Sequence, residues 1–393
     1  MSVYSSKSAK QKPDPVEGTP GGPVDGKERK GRAPFWAVAL TVLGVLVAVT
    51  GFGGMAAAHY YLGKLTGQIE TTDTVLNGDS GNSASTGKIP SGAFNLLMLG
   101  LDTRDGWQQS GELSRSDTII ILHVSATHDQ AYMISIPRDT IAHIPADSTL
   151  GFDGATTKIN AAYAFGSEKH GWQGGARLAT EAVAELTGLK FSGVVQIDFG
   201  GFKNVINALG GVYMCVERDT WSSHYSYDKN GKIVYDVKRD EEHEIANNYI
   251  HKKGCRDLPG WDALDYARQR YGLPNSDYDR QRHQQQLIRA MAKKATSTGV
   301  ITNPSKVASL VEAAGAALKM DTNGVQVNDF IFGLKAIAGA DLIALKTNSG
   351  TYASVSGGEG ITQGTKDLFA ATAADNLGPF ISENPEYLIP DAS

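Results

Sequence analysis

Charged side chains cluster at one end of two neighbouring apolar segments. Residues 118–124 are largely apolar and follow Asp117, and residues 131–136 are apolar and precede Arg138. The polar stretch between them, centred on residues 127 and 128, predicts an antiparallel hairpin. Directly opposed residues in such a pair have Cβ atoms about 5 Å apart. Asp117 and Arg138 are therefore expected to face each other at the open end of the hairpin.

A third segment brings another carboxylate to the same end. Residues 95–101 predict a buried strand that ends in Asp102, and antiparallel pairing would place this end beside the start of the next strand, which follows Arg115. Arginine binds phosphate with two parallel hydrogen bonds. Aspartates beside a phosphate repel it unless a hard cation such as Mg²⁺ lies between them. Two aspartates and two arginines at one sheet edge thus predict metal-assisted phosphoryl transfer.

More cations follow along the chain. Arg268 and Arg270 stand two residues apart, a spacing that points both side chains to one side of an extended chain. Arg280 and Gln284 are one turn apart on a predicted helix and face the same way. Lys158 lies between a glycine-containing loop and an apolar helix start. Several cations suit the charges of a diphosphate, although each alone is equally typical of a solvated surface residue.

The composition is that of a globular protein with a large core. Of the 393 residues, 41% are hydrophobic and 20% are charged, which suits one large domain or two smaller ones. The net charge is −5, whereas a nucleic-acid-binding surface makes the balance basic. No nucleic-acid partner is therefore expected. The sequence also lacks a Walker-type phosphate loop and a recognisable nucleophile elbow.

One long apolar segment near the start predicts a membrane anchor. Residues 33–58 carry no charge, and at about 1.5 Å per residue a helix of this length crosses a hydrocarbon core of about 30 Å. Lysine and arginine precede it, so the positive-inside rule places residues 1–32 in the cytoplasm and the chain after about residue 60 outside. The alternative, a cleaved signal peptide, has a shorter apolar region of about 7–15 residues.

Both cysteines, Cys215 and Cys255, lie in the part of the chain expected outside. An oxidising location and an even number favour a disulfide between them, and the alternative is two unrelated thiols. Their spacing does not resemble a zinc site. The polar and aromatic residues 217–258 predict an insertion with short strands.

The apolar segments predict an α/β fold. Buried-type strands are expected at 95–101, in the hairpin and at 194–197. Helices are expected at 174–187, 200–209, 261–267, 280–295, 306–318 and 327–337. This alternation favours a layered αβα domain with a central mixed sheet. The expected order is a disordered cytoplasmic tail at 1–32, a transmembrane anchor at 33–60, a flexible tether at 61–92 and an extracytoplasmic catalytic domain at 93–393.

In order and spacing, the motifs within residues 94–293 resemble those of the LytR-CpsA-Psr family. An N-terminal anchor before an outside domain also fits, and the loop between the cysteines is similar to that of actinobacterial members. Two features depart from the family pattern. His283 stands where members usually carry arginine, and we expect it on the helix surface. The segment between Asp102 and Arg115 is also longer, with residues 106–109 inserted. The matching segments are 95–102, 114–118, 134–139, 158–164, 198–202, 210–212, 267–270 and 277–285.

The resemblance implies a glycopolymer phosphotransferase. Members transfer a glycopolymer from a polyprenyl-diphosphate carrier, whose lipid tail lies in an apolar groove, to a cell-wall acceptor. The acceptor is usually peptidoglycan, and in some actinobacterial members it is a surface protein. The family's Mg²⁺ (or Mn²⁺) ligands match Asp102 and Asp117, and Arg138, Asp117 and Arg268 are expected to act in catalysis. The family's diphosphate-binding residues match Arg115, Arg138, Lys158, Arg268, Arg270, Arg280 and Gln284.

In the implied reaction an acceptor hydroxyl attacks the sugar-linked phosphorus and polyprenyl phosphate leaves. The base is Asp117, Asp139 or a pathway polarised by arginine. Two other functions agree with the same features. A lipid-diphosphate hydrolase would use the same residues with water as the acceptor. A non-catalytic lipid- or glycan-binding regulator belongs to another class, but residues 1–32 show no DNA-binding pattern.

Overall fold

A computed structural model describes residues 69–76, 91–101, 114–235, 247–300, 303–325, 327 and 341–390. The predicted cytoplasmic tail, the predicted anchor and Asp102 lie outside these residues. So does the helix predicted at 327–337, apart from its first residue. Within the described ranges, no helix is both long enough and apolar enough to cross a membrane.

Strands and helices alternate through most of the described chain. The strands are β1 (Glu70–Thr72), β2 (Phe94–Leu101), β3 (Ser116–Val124), β4 (Gln130–Ile136), β5 (Ile141–Ile144), β6 (Ala155–Lys158), β7 (Gly193–Asp198), β8 (Val212–Val216), β9 (Thr220–Tyr227), β10 (Ile233–Tyr235), β11 (Asn248–His251), β12 (Gly254–Leu258), β13 (Leu318–Asp321), β14 (Asp341–Lys346), β15 (Ser354–Val355), β16 (Gly358–Glu359) and β17 (Leu388–Ile389). The helices are α1 (Ala161–Thr187), α2 (Phe199–Ala208), α3 (Gly260–Arg268), α4 (Asp277–Ser297), α5 (Pro304–Ala314), α6 (Gln363–Ala373) and α7 (Leu377–Glu383).

A mixed sheet forms the middle layer, as the sequence predicts. Its strand order across the described residues is β1-β13-β7-β2-β3-β4-β14-β17. The pairs β1–β13, β2–β7 and β4–β14 are parallel, and the other neighbours are antiparallel. Strands β2, β4, β7 and β14 therefore end at the same edge of the sheet.

Helices cover both faces of the sheet because its central strands are apolar on both sides. On β3, Ile119 and Ile121 belong to the same buried cluster as Leu178 of α1 and Phe369 of α6. Ile120, between them, points the opposite way and belongs to a second cluster beside α4. Alternate side chains of a strand face opposite sides of a sheet, so one apolar run fills two cores. The layered arrangement predicted from the sequence follows from this.

Two predicted elements, the tether and one helix, differ from the structure. The predicted tether contains β1, which pairs with β13 at the edge of the sheet, because the nearby apolar residues Ile69, Val75 and Leu76 are buried. The helix predicted at 306–318 stops at Ala314. Gly315 has a φ of 53° and ends it, since this conformation is open to glycine but not to a continuing helix.

The predicted insertion is a set of short strands closed by the predicted disulfide. Strands β9, β10 and β11 form one small sheet, and β8 pairs with β12. Cys215 lies directly opposite Cys255 in the β8–β12 pair, and the two sulfurs are bonded. The bond closes a loop with a sequence separation of 40 residues.

Removing this disulfide is expected to destabilise the protein. Replacing both cysteines with serine frees the closed loop in the unfolded chain, and for a loop of this length the free energy of unfolding should fall by roughly 4 kcal/mol. Denaturant titration measures this change. As the control, the wild-type protein is titrated with denaturant in the presence of a reductant. Its free energy of unfolding should then match that of the variant. Equal stability of variant and oxidised wild type would show that the bond contributes nothing.

Candidate active site

Four of the charged residues singled out in the sequence meet at the edge where β2, β4, β7 and β14 end: Asp117, Arg138, Lys158 and Arg280. The predicted hairpin is confirmed: β3 and β4 are antiparallel, with Ile119 opposite Ile136. Continuing this register by two residues sets Asp117 opposite Arg138. Nη1 of Arg138 donates a hydrogen bond of 2.8 Å to Oδ2 of Asp117. In open α/β sheets, ligands bind beyond the carboxyl ends of the strands, which is where this pair lies.

Three carboxylates surround the Arg138 guanidinium. Besides Asp117, the Oδ2 atom of Asp139 lies 3.8 Å from Nε of Arg138, and Oδ1 of Asp277 lies 4.0 Å from it. Burial disfavours the charge on Arg138, but the three aspartates outweigh burial and raise its pKa. The side chain is 18% exposed. Arg138 is therefore a fixed cation with one side open to a ligand.

Helix α4 brings a second guanidinium to the same place. Nη2 of Arg280 donates to the backbone oxygen of Asp117 at 3.1 Å and forms an ion pair of 2.7 Å with Asp277. Burial lowers the pKa of Arg280, and Asp277 opposes this effect. Asp277 thus contacts both Arg138 and Arg280. The sequence pattern alone predicts no role for this residue, although its place in a matching motif is a signal.

Lys158 completes this group of charges. Its Nζ atom lies 2.9 Å from Oδ1 of Asp139. Burial favours the neutral acid at Asp139, but its bond to Lys158 and the nearby Arg138 lower its pKa. Asp139 is therefore ionised at neutral pH and able to accept a proton.

A buried glutamine fixes α4 against the sheet. Nε2 of Gln285 donates to Oγ of Ser135 at 2.7 Å and to the backbone oxygen of Leu345 at 2.9 Å. These partners lie on β4 and in β14, which run side by side. Gln285 is fully buried, so its hydrogen bonds hold the register of α4 and thereby the position of Arg280. The sequence does not predict this role, because an amide on a polar helix is usually exposed.

Arg268 and Arg270 stand at the end of α3. Arg268 is the last residue of the helix, and the chain becomes extended at Gln269, so only part of the extended chain predicted here is present. The Arg268 guanidinium lies 4.0 Å from the ring centre of Phe199, at the start of α2. Nη2 of Arg270 donates to the hydroxyl of Tyr271 at 2.6 Å. Both arginines are only partly exposed.

An apolar groove leads from this edge under α2, α3 and α4. Two rows of sheet residues form its floor. The edge row, which lies nearest the charged edge, consists of Gly100 and its strand partners Thr118 and Ile197. The inner row, one pleat further in, consists of Met98, Ile120 and Val195.

Two polar site residues lie where the groove meets the charged edge. Arg268 and Gln284 both line the groove, together with Asp198 and Phe199. Helices α3 and α4 therefore carry a cation and an amide to its mouth while supplying Leu264 and other apolar side chains to its wall. The arrangement suits a ligand with a charged head and a long apolar tail. No sequence pattern predicts this lining, because it comes from six separate elements.

The metal prediction is only partly within the described residues. Asp102 lies outside them, so its predicted place beside Asp117 stays a prediction. Oδ2 of Asp117 accepts from Arg138, while its other carboxylate oxygen has no hydrogen-bond donor among the described residues. That oxygen fits a hard cation, which takes one or two carboxylates and otherwise phosphate and water oxygens. Among the described residues no three possible ligands cluster.

Two other predicted residues have clear positions. Arg115 is exposed just before β3, two residues from Asp117. The surface position predicted for His283 is wrong, because it is 1% exposed. Its ring stacks on Tyr266 with centroids 4.2 Å apart, and its Nε2 lies 3.0 Å from the Tyr266 hydroxyl. Helix α4 packs against α3 on this side, so its polar residues are not all on the surface.

Residues 60–359 match the model of the LytR_cpsA_psr family. The chain belongs to this family, which confirms the predicted resemblance. Among its relatives is the polyisoprenyl-teichoic acid–peptidoglycan teichoic acid transferase TagU of Enterococcus faecalis, 28% identical over 72% of this chain and 78% of the relative. The cell wall biosynthesis protein LcpA of Corynebacterium glutamicum is 26% identical over 80% of this chain and 60% of the relative.

Solved structures share the fold. A Streptococcus agalactiae protein, gbs0355, superposes with a TM-score of 0.56 at 21% identity, covering 73% of this chain and 88% of its own. The LytR-CPS2A-psr family protein YwtF (TagT), solved with bound octaprenyl pyrophosphate lipid, has a TM-score of 0.50 at 22% identity, covering 76% of this chain and 98% of its own. At these identities the likeness extends to the αβα fold with its mixed sheet.

Proposed function

We propose that this protein transfers a glycopolymer from a polyprenyl-diphosphate carrier to a cell-wall acceptor, which is peptidoglycan or a surface protein. The observation that carries the proposal is the apolar groove lined by Arg268 and Gln284, at the sheet edge where Arg138 and Arg280 both contact Asp117 and Asp277. A polyprenyl diphosphate has this shape and charge: a long apolar tail and a compact anionic head. The names of the TagU relatives and the lipid bound to TagT support the same class of reaction.

The cations would act by binding and neutralising the diphosphate. Arginine forks hold phosphate oxygens in fixed directions, and hydrogen bonds that are already oriented stabilise the charge that develops during the reaction. Arg138 and Arg280 are held in place by carboxylates and by backbone before any ligand arrives. They need little rearrangement to bind, which lowers the cost of reaching the transition state.

In the proposed reaction the acceptor hydroxyl oxygen forms a bond to the phosphorus that carries the glycan. The bond from that phosphorus to the bridging oxygen breaks, and polyprenyl phosphate leaves with the electron pair. The hydroxyl proton passes to a carboxylate, for which Asp139 and Asp117 are the candidates at this edge. The product is a phosphodiester between acceptor and glycan.

We further propose that Mg²⁺ (or Mn²⁺) binds at Asp117, with Asp102 as the second carboxylate. When bound, the ion would neutralise phosphate charge as a Lewis acid. Chelation is therefore expected to abolish transfer, and added Mg²⁺ should restore it. The Asp117→Asn variant should need a higher Mg²⁺ concentration for half-maximal activity than wild type. Unchanged transfer in excess chelator would rule out the metal.

We also place this reaction on the outer face of the cell membrane. The proposal rests on the uncharged segment 33–58 and on the lysines and arginines that precede it. A polyprenyl carrier is itself held in the membrane, so an anchored enzyme meets its donor there. Adding protease to intact cells tests this orientation, because the part of the chain after the anchor should be digested. Digestion of that part only after the membrane is opened would contradict the orientation.

Transfer and hydrolysis are separated by one assay. The full-length protein in detergent is incubated with Mg²⁺ and a lipid-linked glycan labelled in the sugar, with and without peptidoglycan fragments. We expect label to become attached to the acceptor, with little release in its absence. Label found only as free glycan phosphate would make the protein a hydrolase, and retained lipid without turnover would make it a binding protein.

A further inference from the structure

A fully buried histidine lies between two carboxylates behind the site. Nδ1 of His251, in β11, lies 2.8 Å from Oδ1 of Asp262, and its Nε2 lies 2.8 Å from Oδ2 of Asp265. Both aspartates are on α3, and all three side chains are buried. We call these three residues the ion bridge. None of them takes part in the proposed reaction.

The geometry indicates that the imidazole is charged. A neutral ring has one N–H, so one of its nitrogens would present a lone pair to a carboxylate oxygen. A protonated ring donates to both. Asp262 also accepts a hydrogen bond of 3.2 Å from the Tyr249 hydroxyl, so it is an acceptor for both of these neighbours. Burial opposes the charge on His251, but the two aspartates outweigh it and raise the pKa of the imidazole.

The ion bridge is connected to the segment that carries the two arginines. Nε2 of Gln269 donates to Oδ1 and to the backbone oxygen of Asp265, both at 2.8 Å. Oε1 of Gln269 accepts from the backbone N–H of Ser223 in β9 at 2.9 Å. Gln269 is fully buried, and its neighbours on either side are Arg268 and Arg270. Fixing this one side chain therefore fixes the backbone from which both guanidiniums project.

We propose that the His251 imidazolium and its two carboxylate partners position the guanidiniums on either side of Gln269 for the diphosphate. The inference rests on the proposed function, because the diphosphate is the head group of the proposed donor. His251, Asp262, Asp265 and Gln269 are positioning residues, because none of them reaches the groove or the charged edge. The insertion thereby gains a role: β9 and β11 supply the partners that hold the end of α3.

The proposal implies a pH dependence with a definite sign. A raised folded pKa means that the bridge is intact below the unfolded value of about 6.5 and is lost as pH rises through the folded value. Diphosphate affinity should therefore fall on the alkaline side. The titratable groups around His251 among the described residues are Asp262, Asp265 and Tyr266 from α3, Tyr249 from its own strand, His224 from β9 and His283 from α4.

The protonation state is measured directly on the full-length protein. With ¹⁵N-labelled histidine and backbone-correlated assignment, both nitrogens of His251 should remain protonated above about pH 6.5, the value for an unperturbed histidine. A neutral tautomer of His251 at neutral pH would overturn the proposal. This readout needs neither donor nor acceptor, so it stands whether or not the protein is a transferase.

The positioning claim is tested by binding of octaprenyl diphosphate. Gln269→Leu and His251→Gln should each weaken binding by about 10- to 100-fold, the cost typical of slightly misplaced groups. The fall in affinity at alkaline pH should also disappear in both variants. Gln269→Leu leaves the ion bridge intact and keeps the test valid if His251→Gln does not fold. The matched control is His123→Gln, a buried histidine of β3 that bonds Asn95 and Asp375.

The outcomes separate the two proposals. If wild type binds octaprenyl diphosphate and Gln269→Leu binds it equally well, with an unchanged pH profile, the positioning claim is wrong and the proposed function stands. If the wild-type protein does not bind octaprenyl diphosphate at all, the proposed function is wrong, and with it the ligand assigned to the two arginines. The His123→Gln control should lose stability without any change in affinity or pH profile.

Discussion

Replacing Arg138 with alanine is expected to lower the rate of glycopolymer transfer by about 100- to 1,000-fold, the effect typical of losing one oriented donor at a transition state. Arg138 is the cation around which Asp117, Asp139 and Asp277 are arranged. The initial rate of transfer at saturating donor measures the effect.

Two controls separate catalysis from stability. Arg138→Lys keeps the charge but not the fork, so it should recover stability without recovering most of the activity. Arg177→Ala breaks a comparably buried ion pair, 2.7 Å from Asp147, on α1. It should destabilise the fold and leave transfer by the folded protein unchanged. A stably folded Arg138→Ala protein with wild-type transfer would remove Arg138 from the mechanism.

Filling the inner row of the groove is expected to block long lipids selectively. Val195→Trp places a large ring in the path of the tail, one pleat beyond Gly100, Thr118 and Ile197. Each buried CH₂ contributes about 0.8 kcal/mol. Excluding a few isoprene units should therefore weaken octaprenyl diphosphate binding at least about 100-fold. Equilibrium binding to the detergent-solubilised protein measures this loss.

The comparison ligand is a diphosphate with a chain of two isoprene units, which the edge row and the arginines can hold. Its affinity should change little in Val195→Trp. Val195→Ala, the matched control, removes the same side chain but leaves the groove open, so it should bind both lipids. Equal loss for the short and long ligands would mean that the tail does not lie in this groove.

Local patterns were sufficient to predict part of this site. The hairpin has a short turn and a shared apolar register, so the contact between Asp117 and Arg138 follows from neighbouring segments alone. The disulfide likewise agrees with the prediction from an expected outside location and an even number of cysteines. The helix predicted at 280–295 is confirmed, and the structure extends it to Asp277–Ser297 as α4.

The rest depends on contacts between segments far apart in the sequence. Gln285 bonds to residues about 60 and 150 positions away, which no local pattern reveals. His283 looked like a surface residue because α4 is polar overall, yet α3 covers that face. The strands β1, β13, β14 and β17, which complete the sheet on both sides, are short and have weak patterns. Each of them forms a strand because an adjacent strand of the sheet pairs with it.

The most direct test of the account is a crystal structure of the protein with octaprenyl diphosphate and Mg²⁺. We expect the diphosphate to lie among Arg138, Arg268 and Arg280, with the tail running along the inner row formed by Met98, Ile120 and Val195. Lipid bound on another surface, with these three guanidiniums making no contact with phosphate, would contradict it.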